Sequence, residues 1–361
     1  MRSPASLAAI LSLTAAPALA APQVVTDLVP TGALVQEVMG DLAEVRVLLP
    51  QGASAHHYQM RPSDAQALQG ADVVIWMGPE LTPWLSRASD TLSGATQLRL
   101  LEVEGVALRD YAGAASEGDA DHGDHAGHDD HADHAGHDHG DHADHDHGDD
   151  HDHDHDHDHD HDHDHDHDHD HDHDHDHGDH AGHDHVHAGT DPHAWLNPAN
   201  AAPWLDAIVA TLSEQDPQNA ATYRANADAA AERIAALDDT LRERLAPHAQ
   251  DRFVVFHDAY GHFTDHFGLQ PAIAVSLGDA STPSAARIDQ IRTQIADSGA
   301  VCAFPEYAHD AGLITTVTEG SDIRTGGELS PEGGTLSPGA GQYEVLLTQM
   351  ADTIVDCLAD Q

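Results

Sequence analysis

The sequence predicts two α/β domains with parallel-type sheets, joined by one long helix. Short apolar runs alternate with helical patterns before residue 105 and again after residue 250, the pattern of strand–helix–strand units. Between the two series, residues 217–245 carry Ala227, Ala230, Ile234, Leu237, Leu241 and Leu245 at steps of three or four, one apolar stripe on a helix. With 361 residues, the chain can bury two cores even without its low-complexity segment.

In the first series, residues 24–28 read as a strand and 31–39 as a helix stopped by Gly40. Residues 45–49 form a second strand, followed by the loop Pro50 to Tyr58. Ser63 can cap a short helix over 64–69. Residues 73–77 are a continuous apolar run, typical of a strand buried on both faces. Residues 81–92 read as helix and 97–101 as strand.

Residues 198–212 and 217–245 read as helices. At 1.5 Å per residue the second spans roughly 40 Å, long enough to run along two domains. A strand over 252–256 then ends at His257, and a helix over 258–267 is stopped by Gly268. Strand 272–276, helix 284–298, strand 300–304, helix 309–319 and a terminal helix over 342–358 complete the second series. The expected organisation is a first domain over 21–216, a linking helix over 217–246 and a second domain over 247–361.

Residues 1–20 read as an export signal. Met1-Arg2 is a short positive start, residues 5–19 are uncharged and mostly apolar, and Ala18-Leu19-Ala20 is a small-x-small cleavage site. The alternative is an uncleaved anchor, for which the apolar run is short. The mature chain is expected to be soluble and outside the cytoplasm.

Residues 116–189 interrupt the first domain. They hold 28 of the 36 histidines and 28 acidic side chains, with no Lys or Arg, and residues 151–177 alternate His and Asp strictly. With almost nothing apolar to bury, this stretch cannot repay the entropy of folding and reads as a disordered insertion. Imidazole and carboxylate are ligands that suit zinc and its neighbours. The bland reading is a solubilising linker or repeat expansion. The net charge of −50 argues against nucleic acid or anionic membrane as partner.

The two cysteines, Cys302 and Cys357, suggest a disulfide in an exported protein. It would tie a strand to the last helix. Two reduced, buried thiols are the alternative.

Three histidines occupy equivalent places. His56 follows a strand, His193 lies in a Pro-bounded turn, and His257 ends a strand and opens a helix. Ligands of open α/β sheets bind at the carboxyl ends of strands, so two such domains can present these imidazoles to a cleft between them. Three imidazoles with one further position satisfy tetrahedral Zn(II). Singly, each is more often structural. His262 and His266 are four apart on one helical face and could clamp metal, but an exposed face is the simpler reading. Glu306 and His309 could line the cleft, with a surface loop preferred.

Together, three motifs carry a specific resemblance. They are Gly52-Ala53-Ser54-Ala55-His56-His57-Tyr58 with Arg61-Pro62-Ser63-Asp64, Asp191-Pro192-His193-Ala194-Trp195-Leu196-Asn197-Pro198, and Phe256-His257-Asp258-Ala259-Tyr260-Gly261. With the acidic His-rich insertion and the two late cysteines, the chain resembles the periplasmic zinc-binding proteins of high-affinity zinc ABC transporters. The resemblance covers essentially the whole mature chain. It implies a rigid linking helix, metal held between the domains by His56, His193 and His257, and delivery of Zn(II) to a membrane ABC permease. His57 falls on a variable position.

Manganese-binding relatives have Glu in place of His257 and a late Asp as fourth ligand; a third imidazole favours zinc. The fourth position is left open among water, a carboxylate and a histidine of the insertion. A manganese or iron receptor and a periplasmic zinc store are the competing binding functions. A zinc hydrolase would need a general base and a substrate pocket, and the sequence lacks an H-E-x-x-H helix, so no enzymatic activity is expected. A monomer is expected.

Overall fold

Two four-stranded parallel sheets order the chain in a computed structural model that describes residues 20–92, 94–111 and 189–359. The expected export signal (but for Ala20) and the His/Asp-rich insertion (but for Gly189) lie outside the described residues. The first sheet contains β1 (Val24–Thr26), β2 (Arg46–Val47), β3 (Val73–Trp76) and β4 (Thr96–Arg99), in the order β2-β1-β3-β4. The second contains β5 (Phe253–His257), β6 (Ile273–Ser276), β7 (Cys302–Ala303) and β8 (Arg324–Thr325), in the order β6-β5-β7-β8. In each, the first strand sits inside the sheet and the next two flank it. That reversal of direction is where α/β sheets open a crevice at their carboxyl ends.

The helices of the first half are α1 (Val29–Met39), α2 (Pro62–Gln69), α3 (Pro83–Leu92), α4 (Ala201–Gln215) and the long α5 (Ala220–Leu245). Those of the second are α6 (Gly261–Phe267), α7 (Ala285–Ser298), α8 (Ala311–Thr318) and α9 (Gln342–Ala359). Along α5, Ala227, Ala230, Ile234, Leu241 and Leu245 are buried as the stripe requires, joined by Tyr223, while Leu237 is only partly covered. α5 packs on α1, α4 and α9, and α9 also reaches α1, an element over 300 residues earlier in the chain. One hydrophobic cluster therefore runs from Leu34 and Val38 of α1 through Ile234 to Leu347 and Ile354 of α9. Cys357 of α9 is bonded to Cys302 of β7, a link across 55 residues of sequence.

Several local expectations are corrected. α2 is not capped by Ser63: Pro62 takes its first position, where a missing N–H costs nothing, and the Asp64 carboxylate accepts the Arg61 N–H at 2.9 Å. α4 starts at Ala201, because Pro198–Asn200 form a tight 3-10 turn first. α5 starts at Ala220. α6 starts at Gly261, since the backbone turns at His257 with Ala259 N–H on the His257 carbonyl at 2.9 Å. α8 starts at Ala311, capped by the Asp310 carboxylate on Gly312 N–H at 2.8 Å, so His309 lies in the preceding loop. β2, β7 and β8 pair through only two residues each. No helix among the described residues is long and apolar enough to cross a membrane.

Candidate metal centre

β5 delivers His257. Phe253 and Val255 face the large core, while Val254 and Phe256 face the smaller cluster over α7 and α8. Strand alternation therefore puts His257 on the Phe253 and Val255 side, at the carboxyl end of the strand, and it is wholly buried. His193 is delivered by the turn before Ala194–Leu196. The rest of its motif anchors that turn. The Trp195 indole donates to the Pro331 carbonyl at 2.8 Å, the Asn200 amide donates to the Ala194 carbonyl at 2.9 Å, and the Tyr343 hydroxyl donates to the Trp195 carbonyl at 2.7 Å. His56 comes from the loop after β2. Its neighbour Ala55 is held on both sides: the Trp84 indole donates to its carbonyl at 2.7 Å, and its N–H donates to Glu332 Oε2 at 3.0 Å.

These three histidines, up to 201 residues apart, come together. One ring nitrogen of each lies within 4.8 Å of the others. Ring centroids stand 5.3 Å apart for His56–His193, 5.8 Å for His56–His257 and 5.2 Å for His193–His257. Two carboxylates orient two of them. Asp191 Oδ1 lies 2.8 Å from His193 Nδ1, and Glu306 Oε1 lies 2.7 Å from His257 Nδ1. A carboxylate only accepts, so in the neutral ring each Nδ1 carries the proton and each Nε2 keeps its lone pair. Those two Nε2 atoms face each other at 3.4 Å. Two ligands of a tetrahedral zinc ion, each 2.0–2.1 Å from it, stand roughly 3.3–3.4 Å apart.

Burial, with His193 and His257 adding to it, holds His56 well below the ordinary imidazole pKa. Burial also opposes charge on His257, but the Glu306 carboxylate more than offsets it and raises that pKa. For Asp191, burial pushes upward, while the hydrogen bond and charge of His193 pull further down, to about 2. Asp191 is fastened by Arg109, whose Nη1 donates to Oδ2 at 2.7 Å. Arg109 in turn lies against α6, where a Cβ at Gly261 would meet Nη1 at 1.6 Å.

Glu306 is a correction: it is not on a surface loop but 3% exposed, and the Tyr260 hydroxyl donates to its Oε2 at 3.0 Å. His309 is partly covered, stacked on Phe256 at 4.4 Å, with Nε2 3.5 Å from Glu306 Oε1. Ala308 between them holds φ +66°, a left-handed conformation that Ala adopts only when its surroundings hold it there. His262 and His266 do not form an exposed face. His262 Nε2 donates to the Asp191 carbonyl at 3.0 Å and is buried, and His266 Nε2 lies 2.7 Å from Asp238 Oδ1. Both are committed to structural partners. His57 is exposed.

Sequence reasoning missed Glu332 altogether. It is buried, and burial raises its pKa to about 7 against the pull of His257. Its Oε1 and His56 Nε2 are both buried without a hydrogen-bond partner, 3.8 Å from each other. Pro331-Glu332-Gly333-Gly334 reads as a plain turn, so no local signal pointed to it. For Glu306 a signal existed: it stands just past the end of β7, beside the strand that delivers His257.

Residues 24–357 match the family described as zinc-uptake complex component A, periplasmic. A high-affinity zinc uptake system protein ZnuA of Paracoccus denitrificans is 54% identical over 354 residues, covering 98% of this chain and 97% of the relative. The chain belongs to this zinc-uptake component A family. Its ZnuA relative from Brucella suis is 37% identical, covering 93% of this chain and 91% of the relative. Solved structures share the fold. The periplasmic zinc binding protein TroA from Treponema pallidum superposes with a TM-score of 0.66 at 18% identity, covering 94% of this chain and 99% of that one. A crystal structure of ZnuA gives 0.64 at 18% identity, covering 93% and 99%.

Proposed function

We propose that this member of the zinc-uptake component A family is a periplasmic receptor, not an enzyme, that captures Zn(II) and delivers it to a membrane ABC permease. His56, His193 and His257 hold the ion. The observation that carries this reading is the 3.4 Å approach of the His193 and His257 Nε2 atoms, with both Nδ1 protons already committed to carboxylates. Two lone pairs facing at that distance repel unless a cation or proton sits between them. Three imidazoles favour zinc over manganese, which prefers oxygen ligands. The names of the relatives point the same way. The ion is cargo, and the three side chains that hold it come from three separate segments of the chain: the loop after β2, the turn before Ala194 and the end of β5.

Competitive metal titration of the full chain tests the assignment. One ion should bind far more tightly than the rest, and His56→Ala, His193→Ala and His257→Ala should each weaken that first equivalent while metal-free folding, followed by circular dichroism, stays intact. Unchanged affinity for the first equivalent in all three variants would sink the three-histidine site.

A further inference from the structure

We propose that His309 and Glu306 form a half-site for Zn(II) at the mouth of the metal centre, through which the ion passes on its way to and from the three histidines. This inference rests on the receptor reading above. It starts from a spacing. His309 Nε2 stands 3.5 Å from Glu306 Oε1. That is long for a hydrogen bond and close to the roughly 3.3 Å that separates two ligands of one tetrahedral zinc ion. One ring nitrogen each of His257 and His309 and one Glu306 oxygen all lie within 4.8 Å of one another. Glu306 has a lone pair to offer. Its Oε2 accepts the Tyr260 hydroxyl at 3.0 Å and lies 2.9 Å from His257 Nδ1, and its Oε1 lies 2.7 Å from the same Nδ1. A carboxylate oxygen carries about two lone pairs, so Oε1 can hold the His257 proton and still face His309.

The position of the pair makes it a passage. Side-chain exposure falls from 12% at His309 to 2% at Glu306 and 0% at His257. The rings of His309 and His257 are 5.9 Å apart, a short step for an ion. A small cavity beside them is lined by Ser54, Glu306, Ala308, His309 and Glu332. The backbone fixes the pair. The His309 N–H donates to the Glu306 carbonyl at 3.2 Å, closing a turn, and Ala308 within that turn holds its left-handed φ of +66°. Strain of this kind persists where the surroundings over-determine it, and it gathers at ligand clamps. The His309 ring stacks on Phe256, 4.4 Å away and tilted by 24°, which sets the plane of its nitrogens. His193 and His257 are wholly buried, so a hydrated ion must shed water before it meets them. At the half-site one imidazole and one carboxylate, both zinc ligands, replace two of those waters first. The ion then moves to the Nε2 side of His257, while Glu306 keeps the Nδ1 proton throughout.

The test times zinc into and out of the full chain at less than one equivalent, so that the tight site alone is read. Trp195 fluorescence reports it, the indole being 5.2 Å from the His193 ring. Capture is followed by stopped flow. Release is followed into a chelator concentrated enough that the rate no longer depends on it. A group on the path belongs to neither end state, so its loss slows both directions. His309→Gln should slow capture and release by a similar factor of roughly tenfold or more, since even an outer partner of a zinc ligand is worth about 10–100-fold. His309→Phe keeps a ring to stack on Phe256 but has no nitrogen, and it should slow both as well. A side chain that only supports His257 gives the opposite sign: its loss loosens a ligand and speeds release. Release that is unchanged or faster in both variants overturns the inference. So does slowing in one alone, which marks bulk if only Phe slows and a lost stack if only Gln does. Either failure leaves the three-histidine reading standing while the wild type still holds one ion tightly. If the wild type shows no tight equivalent, the receptor reading falls too.

Discussion

Replacing Glu306 by Gln should weaken zinc binding and flatten its dependence on pH. In the wild type both Glu306 oxygens lie against His257 Nδ1, at 2.7 and 2.9 Å, and the Tyr260 hydroxyl adds a bond at 3.0 Å. The residue is only 3% exposed, so solvent cannot stand in for it. Gln can accept one of these hydrogen bonds but carries no charge and can present an N–H₂ to the other donor. Loss of such an outer partner of a ligating histidine costs about 10–100-fold in metal affinity, or about 1.4–2.7 kcal/mol. The sign in pH follows from His257. Its pKa is raised above 6.5 because the charge of Glu306 outweighs burial. Zinc needs the Nε2 lone pair, so protons begin to compete as pH falls through that raised value. Without the Glu306 charge, burial is opposed only by the weaker pull of Glu332 and Asp258, the pKa drops, and competition retreats to stronger acid. The variant should therefore bind more weakly than the wild type at about pH 8, yet lose less affinity between about pH 8 and pH 6. Competition against a chromophoric chelator reads both quantities. Wild-type affinity at the higher pH, or a pH profile parallel to that of the wild type, would refute the reasoning.

Two further outcomes are expected. Cys302→Ser with Cys357→Ser opens a link across 55 residues, worth about 4 kcal/mol in the chain-entropy model, so the urea midpoint should drop; a midpoint equal to the wild type's would contradict this. Deleting residues 118–188 should remove several weak metal sites and keep the tight one, because the flanks of the insertion are joined without it, by Tyr111 N–H on the Gly189 carbonyl at 3.1 Å and Asp191 N–H on the Arg109 carbonyl at 2.9 Å. Loss of the tight site from a deleted chain that still folds would mean that the insertion supplies a ligand.

How much was legible in the sequence differs from element to element. β1, β3 and β5 were legible because strands buried on both faces need apolar residues at nearly every position, and Val73–Trp76 has four in a row, all buried. α5 was legible because a helix writes its buried face into the chain at a fixed period. β8 was not, since two residues, Arg324 and Thr325, leave no period to detect. The start of α6 was misjudged because the backbone turns at His257 to expose its imidazole to the centre, against the local helical pattern.

The sequence by itself determined most of the strands and helices that alternate, the long α5, and the loop, the turn and the strand end that carry His56, His193 and His257. Each of these is a local matter of apolar spacing, turn residues or a short motif. Only the tertiary structure decided that Glu306 is buried against His257 and that Glu332 meets Ala55 across 277 residues of chain. The physical reason is that a local pattern reports which face of a segment is buried, but not what lies opposite. A carboxylate in a turn looks the same whether it meets water or an imidazole. The packing of α1, α5 and α9 into one core helps bring the second half of the chain against the first, where the two carboxylates meet the first half's segments.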